Sequence, residues 1–287
     1  MRLLDLATLA YVAFGLAVLI VARPPFWGVL ASIHAVAMTL IAWRCSVAPS
    51  SRPHWFREWY PFLLIPILYA EIPTLNHAFL STARDEWVRS LEAAAFPSNP
   101  AASFAAAAPW PALSEPLHFA YLCYYPIIYG PLLILYFQRR LDSFRATGFA
   151  VAVTYYCCYS IFVLYPVRGP WDLWPLSGAQ PDGPFRWLAV QILAAGSSTG
   201  AAFPSSHQAV AVVQAFCAQR DLPRLAPIIG VLSVGIGVGA VYASFHYAIE
   251  MIAGALLGLV IALGVRRWLE YAEREPQRDR SKTRAPV

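Results

Sequence analysis

Long apolar runs separated by short polar stretches dominate the chain and predict helices that cross a membrane. An apolar run of about 20 residues is long enough to cross the hydrocarbon core of a bilayer as a helix. The pattern predicts an all-α polytopic bundle of about eight transmembrane helices, at residues 5–22, 26–43, 60–78, 117–137, 146–166, 204–219, 225–243 and 247–268. We therefore expect an integral membrane domain over 1–268 and a disordered, charged cytoplasmic tail over 269–287.

Composition and charge support this class of protein. The 287 residues are 59% hydrophobic and 13% charged, whereas an ordinary soluble domain has about 25% charged residues. The net charge of +5 is then interpreted as a topology signal, and no nucleic-acid partner is expected. No convincing small-residue cleavage site follows the first run, so we expect a retained helix and not a signal peptide.

The arginine-rich loops predict how the chain is oriented. Loops 44–59, 138–145 and 219–224 and the tail carry most of the arginines, and each follows an even-numbered predicted span. The positive-inside rule then places both termini in the cytoplasm of a bacterial-type inner or plasma membrane. The long segments 79–116 and 167–203 fall outside. Within the first, "LEAAAF" and "FAAAA" could be short interfacial helices or simple loop.

Three polar motifs meet at the outer face under this topology. The fifth predicted span ends in "LYPVRGP", which contains Arg168, and the sixth begins with "FPSSH", which contains Ser205, Ser206 and His207. The turn between the last two spans carries "HYAIE", with His246 and Glu250. The three motifs are far apart in sequence, so their common depth predicts one site.

The residue types at these motifs suit phosphate chemistry. A helix start offers free N–H groups and a partial positive charge, which favour a phosphate. Pro204 is expected in the first turn of that helix, and Ser205 and Ser206 add hydroxyl donors. Arg168 can bind two phosphate oxygens at once.

The histidines supply groups for the reaction itself. His246 and Glu250 are spaced i,i+4 and share one helical face. A carboxylate there can hold one imidazole nitrogen as N–H, which leaves the other nitrogen as a nucleophile or base. His207 could protonate a departing oxygen. No carboxylate-rich cluster suggests Mg²⁺, so we expect no metal and no cofactor.

The elements "FPSSH", "HYAIE" and "AGALLG" resemble the type 2 phosphatidic acid phosphatase superfamily of integral membrane phosphatases, over about residues 117–265. The resemblance implies a helical core shared with vanadium haloperoxidases. It implies His246 as the nucleophile that forms a phosphohistidine, Glu250 as its orienting partner and His207 as the acid. Arg168 with the region of Ser205 and Ser206 would hold the phosphoryl oxygens.

The chain departs from the superfamily pattern at several positions. Ser206 replaces a glycine, Glu250 replaces an aspartate, and Gly169 separates Arg168 from Pro170. The longer side chain of Glu250 requires a different spacing between its carboxylate and His246, because glutamate has one methylene more than aspartate.

Two cations of the fullest pattern are also missing. Ile161 stands where a lysine is usual, and Ala240 stands where an arginine is usual. The inositol phosphorylceramide synthase branch also tends to lack these cations, so the chain resembles that branch. A site with fewer cations should hold a doubly charged monoester less tightly.

Three further polar residues are candidate substrate-binding groups at the outer surface. Glu71 lies in an apolar run, where a carboxylate usually has a partner or a role, either contact with a substrate head group or a bond to another span. Glu115 and His118 are expected near the same surface, where a plain interface position is the alternative.

The sequence therefore predicts a metal-independent lipid phosphatase or phosphotransferase. Its substrate would be a lipid-linked phosphate or diphosphate at the extracytoplasmic face of the bilayer. One alternative is head-group transfer of the inositol phosphorylceramide synthase type. Another is a non-catalytic lipid-binding or transport protein of the same fold, which the missing cations motivate, although the paired repeats and broken spans common in transporters are not evident.

Overall fold

The computed structural model of the chain describes residues 2–47, 55–77, 79, 84–173 and 181–282, and helices make up most of these ranges. The helices are α1 (Leu3–Ala22), α2 (Trp27–Val47), α3 (Trp55–Leu75), α4 (Asp85–Ala95), α5 (Pro100–Ala107), α6 (Pro111–Leu122), α7 (Tyr124–Phe137), α8 (Leu141–Leu164), α9 (Pro170–Leu173), α10 (Pro184–Gly196), α11 (Ser206–Asp221), α12 (Ala226–Tyr242) and α13 (Ala248–Lys282). The all-α prediction is confirmed.

Several helices have the length and apolar character of membrane spans. Leu3–Ala22, Trp27–Ser46, Leu141–Leu164 and Ala248–Trp268 qualify singly, and α6 with α7 qualifies as one span bent by 42°. The chain is therefore an integral membrane protein. Each of the eight predicted spans coincides with a helix or with this bent pair, but α3, α11 and α12 do not qualify as spans. The count of eight spans stays a prediction.

Helix α11 is enclosed by other helices, which explains why it is less apolar than the qualifying spans. It packs against α7, α8, α12 and α13. Two glutamines of α11, Gln208 and Gln214, are buried in these contacts. The side-chain amide of Gln214 donates to the carbonyl of Ile128 at 2.8 Å. Polar side chains are tolerated at membrane depth where they face the interior of a helical bundle.

Two glycines of α13 allow it to approach α11 closely. A Cβ at Gly254 would overlap the carbonyl oxygen of Ser205, and a Cβ at Gly258 would overlap that of Ala209. Glycines spaced i,i+4 form the small-residue surface through which membrane helices pack backbone to backbone. This contact brings the start of α13 next to the start of α11.

A partly buried ionic network joins the N-terminal ends of α1, α3 and α8. Arg2 Nη1 lies 2.7 Å from Glu58 Oε2, and Arg145 Nη2 lies 2.7 Å from Glu58 Oε1. Arg57 pairs with the buried Asp5 at 3.4 Å. These arginines come from separate basic regions of the sequence, and the structure places them together. Helix α8 extends from this network to the loop of Arg168, a distance of about 36 Å for 24 residues.

The long segments between spans contain more helix than the sequence predicts. The "LEAAAF" and "FAAAA" stretches lie in or at the ends of α4 and α5, and α4 already begins at Asp85. Helices α9 and α10 in the second segment were not predicted. Helix α13 continues to Lys282, within the range of the predicted tail. Residues 283–287 lie outside the described residues, and the disordered tail over 269–287 stays a prediction.

Candidate active site

His246 and Glu250 form a buried pair at the start of α13. Glu250 Oε2 accepts the Nδ1–H of His246 at 2.8 Å and the backbone N–H of Tyr247 at 3.1 Å. His246 is 7% exposed and Glu250 is fully buried. The backbone N–H of His246 donates to the carbonyl of Ala240 at the end of α12. The backbone of His246 and one of its ring nitrogens are therefore both held, and Nε2 is the remaining ring nitrogen.

His207 faces this pair from the first turn of α11. Its ring centroid lies 5.8 Å from that of His246, with the rings inclined at 61°. The rings of Tyr124 and Tyr121 pack against it at 4.0 and 5.5 Å. Aromatic packing on one side thus holds His207 toward His246.

The start of α11 is bonded directly to the start of α13. Ser205 is the N-cap of α11 and accepts the N–H of Gln208 at 3.4 Å, while its own N–H donates to the carbonyl of Glu250 at 3.0 Å. No described residue accepts the first-turn N–H groups of Ser206 and His207, so this helix start is open. Pro204 precedes the cap, so its predicted place in the first turn is wrong; Ser205 provides the cap instead.

The loop that carries Arg168 runs past Glu250. Gly169 has a φ of +77°, and a Cβ there would stand 2.8 Å from the Cβ of Ala202 and 3.6 Å from Glu250 Oε1. Val167 donates to the carbonyl of Gly200, and Ala202 donates to the carbonyl of Val167. The Arg168 side chain is exposed, and no described residue bonds its guanidinium. The structure thus gathers all six residues of the predicted site at one end of the bundle.

Two carboxylates that the sequence analysis missed support this arrangement. Asp85 Oδ1 accepts the backbone N–H groups of Arg168 and Gly169 at 2.9 and 3.0 Å. Glu92 Oε1 and Oε2 accept those of Ala248 and Ile249 at 3.1 and 2.9 Å. Two acidic residues seven positions apart share one helical face, and this spacing was the available signal in the segment 79–116.

Tyr247 follows His246 and is fully buried. It packs in one cluster with Val88 of α4 and with Val167 and Ala202 on either side of the loop that carries Arg168.

Glu71 has a partner in another helix. Its Oε2 lies 3.4 Å from Nε2 of His34, which joins α3 to α2. This contact supports the structural alternative for Glu71, and a role in binding a head group stays a prediction.

Glu115 and His118 make contacts within the fold. Glu115 accepts the backbone N–H groups of Phe185 and Arg186 and so caps α10. His118 is fully buried, against the expected surface position, because α6 packs against α12. Its Nδ1 donates to the carbonyl of Ser114 at 2.7 Å, and its ring packs behind Phe245. Substrate binding by either residue stays a prediction.

Among the described residues, no three histidine, cysteine or acidic side chains converge as a metal site would require.

Fold and site together define an integral membrane protein with two facing histidines, one backed by a carboxylate, beside an open helix start. The family model of the PAP2 superfamily, the type 2 phosphatidic acid phosphatase superfamily, matches residues 86–264, and the chain belongs to this superfamily. No curated protein and no solved structure matches the chain.

Membership supports a general activity on phosphoric esters, since members of the superfamily are phosphatases or phosphotransferases. The matched range begins at α4, well before the predicted core of 117–265, and it leaves α1, α2 and α3 outside. The matched range therefore includes Glu92 and the rest of α4 after its first residue, Asp85.

Proposed function

We propose that the chain is a lipid phosphatase or phosphotransferase that works through a phosphohistidine at His246. The observation that carries this proposal is the buried contact of 2.8 Å between His246 Nδ1 and Glu250, which faces His207. Because the carboxylate accepts the Nδ1–H, the lone pair of Nε2 is available to attack phosphorus.

The reaction proceeds in two balanced steps. In the first, Nε2 of His246 forms a bond to phosphorus, the P–O bond to the lipid breaks, and protonated His207 gives its proton to the departing oxygen. In the second, water or an alcohol attacks the phosphorus and gives its proton to His207, and the N–P bond breaks. Water yields inorganic phosphate and an alcohol yields a new phosphoester.

The start of α11 supplies the anion-binding part of the site. The N–H groups of Ser206 and His207 point out of the helix end, where the helix dipole favours negative charge. The hydroxyls of Ser205 and Ser206 add donors. Arg168, one residue from the contact with Glu250, can bind two of the phosphoryl oxygens.

The membrane setting supports a lipid-linked phosphate or diphosphate as substrate. The site lies at the ends of apolar helices, where a phosphate head group of a bilayer lipid would meet it. The arginine-rich ends of α1, α3 and α8 lie at the opposite end, so the positive-inside rule favours an extracytoplasmic site and cytoplasmic termini.

Head-group transfer between lipids, as in the inositol phosphorylceramide synthase branch, is the second candidate. The observation that favours it is the apolar character of the two positions where cations are usual: Ile161 lies in α8, and Ala240 is fully buried. With fewer cations, the site suits a singly charged phosphodiester better than a dianion.

The test is a substrate profile of the purified protein in lipid nanodiscs with excess chelator. Phosphatidic acid, a polyprenyl diphosphate and a phosphodiester lipid are each supplied with and without polyol acceptors. We expect turnover of at least one lipid, an acid-labile phosphoryl adduct on the protein, and loss of both in His246→Gln. The control His77→Gln changes an exposed histidine and should keep full activity. Retained turnover in His246→Gln would contradict the assignment of His246 as the nucleophile. An inactive wild-type chain would favour a non-catalytic protein.

A further inference from the structure

Helix α4 contains none of the proposed reacting groups, yet it contacts all three segments that carry them. The ring of Trp87 packs against Tyr165, just before Arg168, and against Phe203, just before Ser205, with centroids 5.6 and 5.5 Å apart. Val88 is fully buried in a cluster that includes Tyr247, the neighbour of His246. Helix α4 therefore lies across the site and not merely beside it.

Arg168 and Gly169 form a loop that we call the phosphate-binding arm. Asp85 holds this arm through a single carboxylate oxygen. Its Oδ1 accepts the backbone N–H groups of both Arg168 and Gly169. Hydrogen bonds to an ionised acceptor are roughly twice as strong as neutral ones. Because Gly169 also lies against Glu250, the position of Asp85 sets how closely the arm approaches the histidine pair.

Glu92 holds the start of α13 through both of its oxygens. Each oxygen accepts one first-turn N–H, from Ala248 and from Ile249. These N–H groups have no partner within the helix, and a carboxylate at this end is also favoured by the helix dipole. Glu250 follows directly, so Glu92 sets the direction from which Glu250 meets His246.

The two carboxylates are separated by a rigid element. Seven residues make two turns of helix, and they place Asp85 and Glu92 about 10 Å apart on the same face. The helix thus fixes the spacing between the arm of Arg168 and the pair of His246 and Glu250.

We infer that Asp85 and Glu92 are positioning residues for phosphoryl transfer, with α4 as the spacer that keeps the phosphate-binding arm and the nucleophile in register. This inference rests on the proposed function. It assigns Asp85 to binding of the phosphoryl group and Glu92 to the chemical step, and the two roles are separable by kinetics.

Kinetics on phosphatidic acid in nanodiscs, with orthovanadate as a phosphate probe, tests the division of roles. We expect Asp85→Ala to raise KM and the vanadate inhibition constant about tenfold and Glu92→Ala to lower kcat about tenfold, as the loss of charge-assisted hydrogen bonds implies. Asp85→Asn should recover most of the loss, because one amide oxygen can accept both N–H groups. Glu92→Gln should recover little, because its NH₂ cannot accept the second N–H. The exposed neighbour Glu86→Ala is the matched control and should match the wild type.

Hydrogen exchange of the same proteins separates this inference from the proposed function. We expect Asp85→Ala to speed exchange at the amides of Arg168 and Gly169, and Glu92→Ala to speed it at those of Ala248 and Ile249. Unchanged exchange, or equal effects of both variants on kcat and KM, would overturn the positioning roles. An inactive wild-type chain with the expected exchange pattern would count against the phosphatase and not against the contacts of α4.

Discussion

Gly169 lies directly against the carboxylate of Glu250, since a Cβ built on Gly169 would stand 3.6 Å from Oε1 and 3.7 Å from Oε2. Both residues depart from the superfamily pattern: Gly169 separates Arg168 from Pro170, and Glu250 stands in place of an aspartate. The structure shows that these departures face one another. A longer carboxylate is matched by a loop residue that has no side chain.

Replacement of Gly169 by alanine should therefore damage both stability and activity. The φ of +77° disfavours any Cβ, and the new methyl group would meet the Cβ of Ala202. We expect a loss of about 1–2 kcal/mol in the free energy of unfolding, measured by thermal unfolding in detergent. Gly130→Ala is the control, because nothing lies within 4 Å of its Cβ position. Equal stability of Gly169→Ala and wild type would show that the loop adapts.

Shortening the carboxylate should slow the reaction. Glu250→Asp withdraws the oxygen from His246 Nδ1 and leaves the space next to Gly169 unfilled, so we expect kcat to fall by about 10²-fold, within the range of acid–base contributions. Steady-state kinetics on the best lipid substrate provides the measurement. A variant as fast as the wild type would mean that the site tolerates either carboxylate and that Gly169 is not matched to Glu250.

The role of His207 as an acid predicts a dependence on the leaving group. His207→Ala should lower turnover of a lipid phosphate by about 10²–10⁴-fold. Turnover of an aryl phosphate with an acidic phenol should fall much less, because its leaving oxygen needs no proton. The measurement is the ratio of the loss of turnover on the lipid phosphate to the loss on the aryl phosphate. An equal loss on both substrates would assign His207 to binding instead of proton transfer.

The close approach of α11 and α13 should be sensitive to side-chain size. Gly258→Val would force the helices apart at the carbonyl of Ala209, and overpacking of this kind costs about 1–3 kcal/mol. We expect lower thermal stability and reduced activity. Gly264→Val lies on the same helix with nothing within 4 Å of its Cβ position and should change neither.

The ionic network at the far end should matter for stability and not for chemistry. Glu58→Gln removes the charge that pairs with Arg2 and Arg145. Because both arginines are partly exposed, we expect a loss of about 1–3 kcal/mol in the free energy of unfolding. We expect a lower unfolding temperature with kcat unchanged below it. The fully exposed Asp142→Asn is the control and should be neutral. A fall in kcat at low temperature would reveal coupling between the two ends.

The parts of the fold that could be predicted are those with a local signal. Apolar runs predicted the helices. The i,i+4 spacing predicted that His246 and Glu250 share a helical face, whereas His246 lies two residues before α13 and meets Glu250 of its first turn. The convergence of Arg168 and His207 with them followed from counting spans, because helices that alternate in direction bring their ends to common faces.

The remainder depends on contacts between distant residues. Neither the pairing of Asp85 with the arm of Arg168 nor that of Glu92 with α13 has a local pattern, because a carboxylate that accepts backbone N–H groups does not restrict the partner sequence. The burial of His118 was missed because its neighbours on α6 have an interfacial composition. The pairing of Glu71 with His34 has no local signal either, because a lone carboxylate in an apolar run does not specify which helix supplies its partner.

The contacts of α4 also bear on the order in which the chain becomes complete. Asp85 precedes Arg168 by 83 residues, and Glu92 precedes Ala248 by 156. Chains emerge from the ribosome with their N-terminal parts first, so both carboxylates are made long before the N–H groups that they accept. Insertion of α13 is consequently the step that completes the site, and a nascent chain that stops short of residue 246 carries the phosphate-binding motif without a nucleophile.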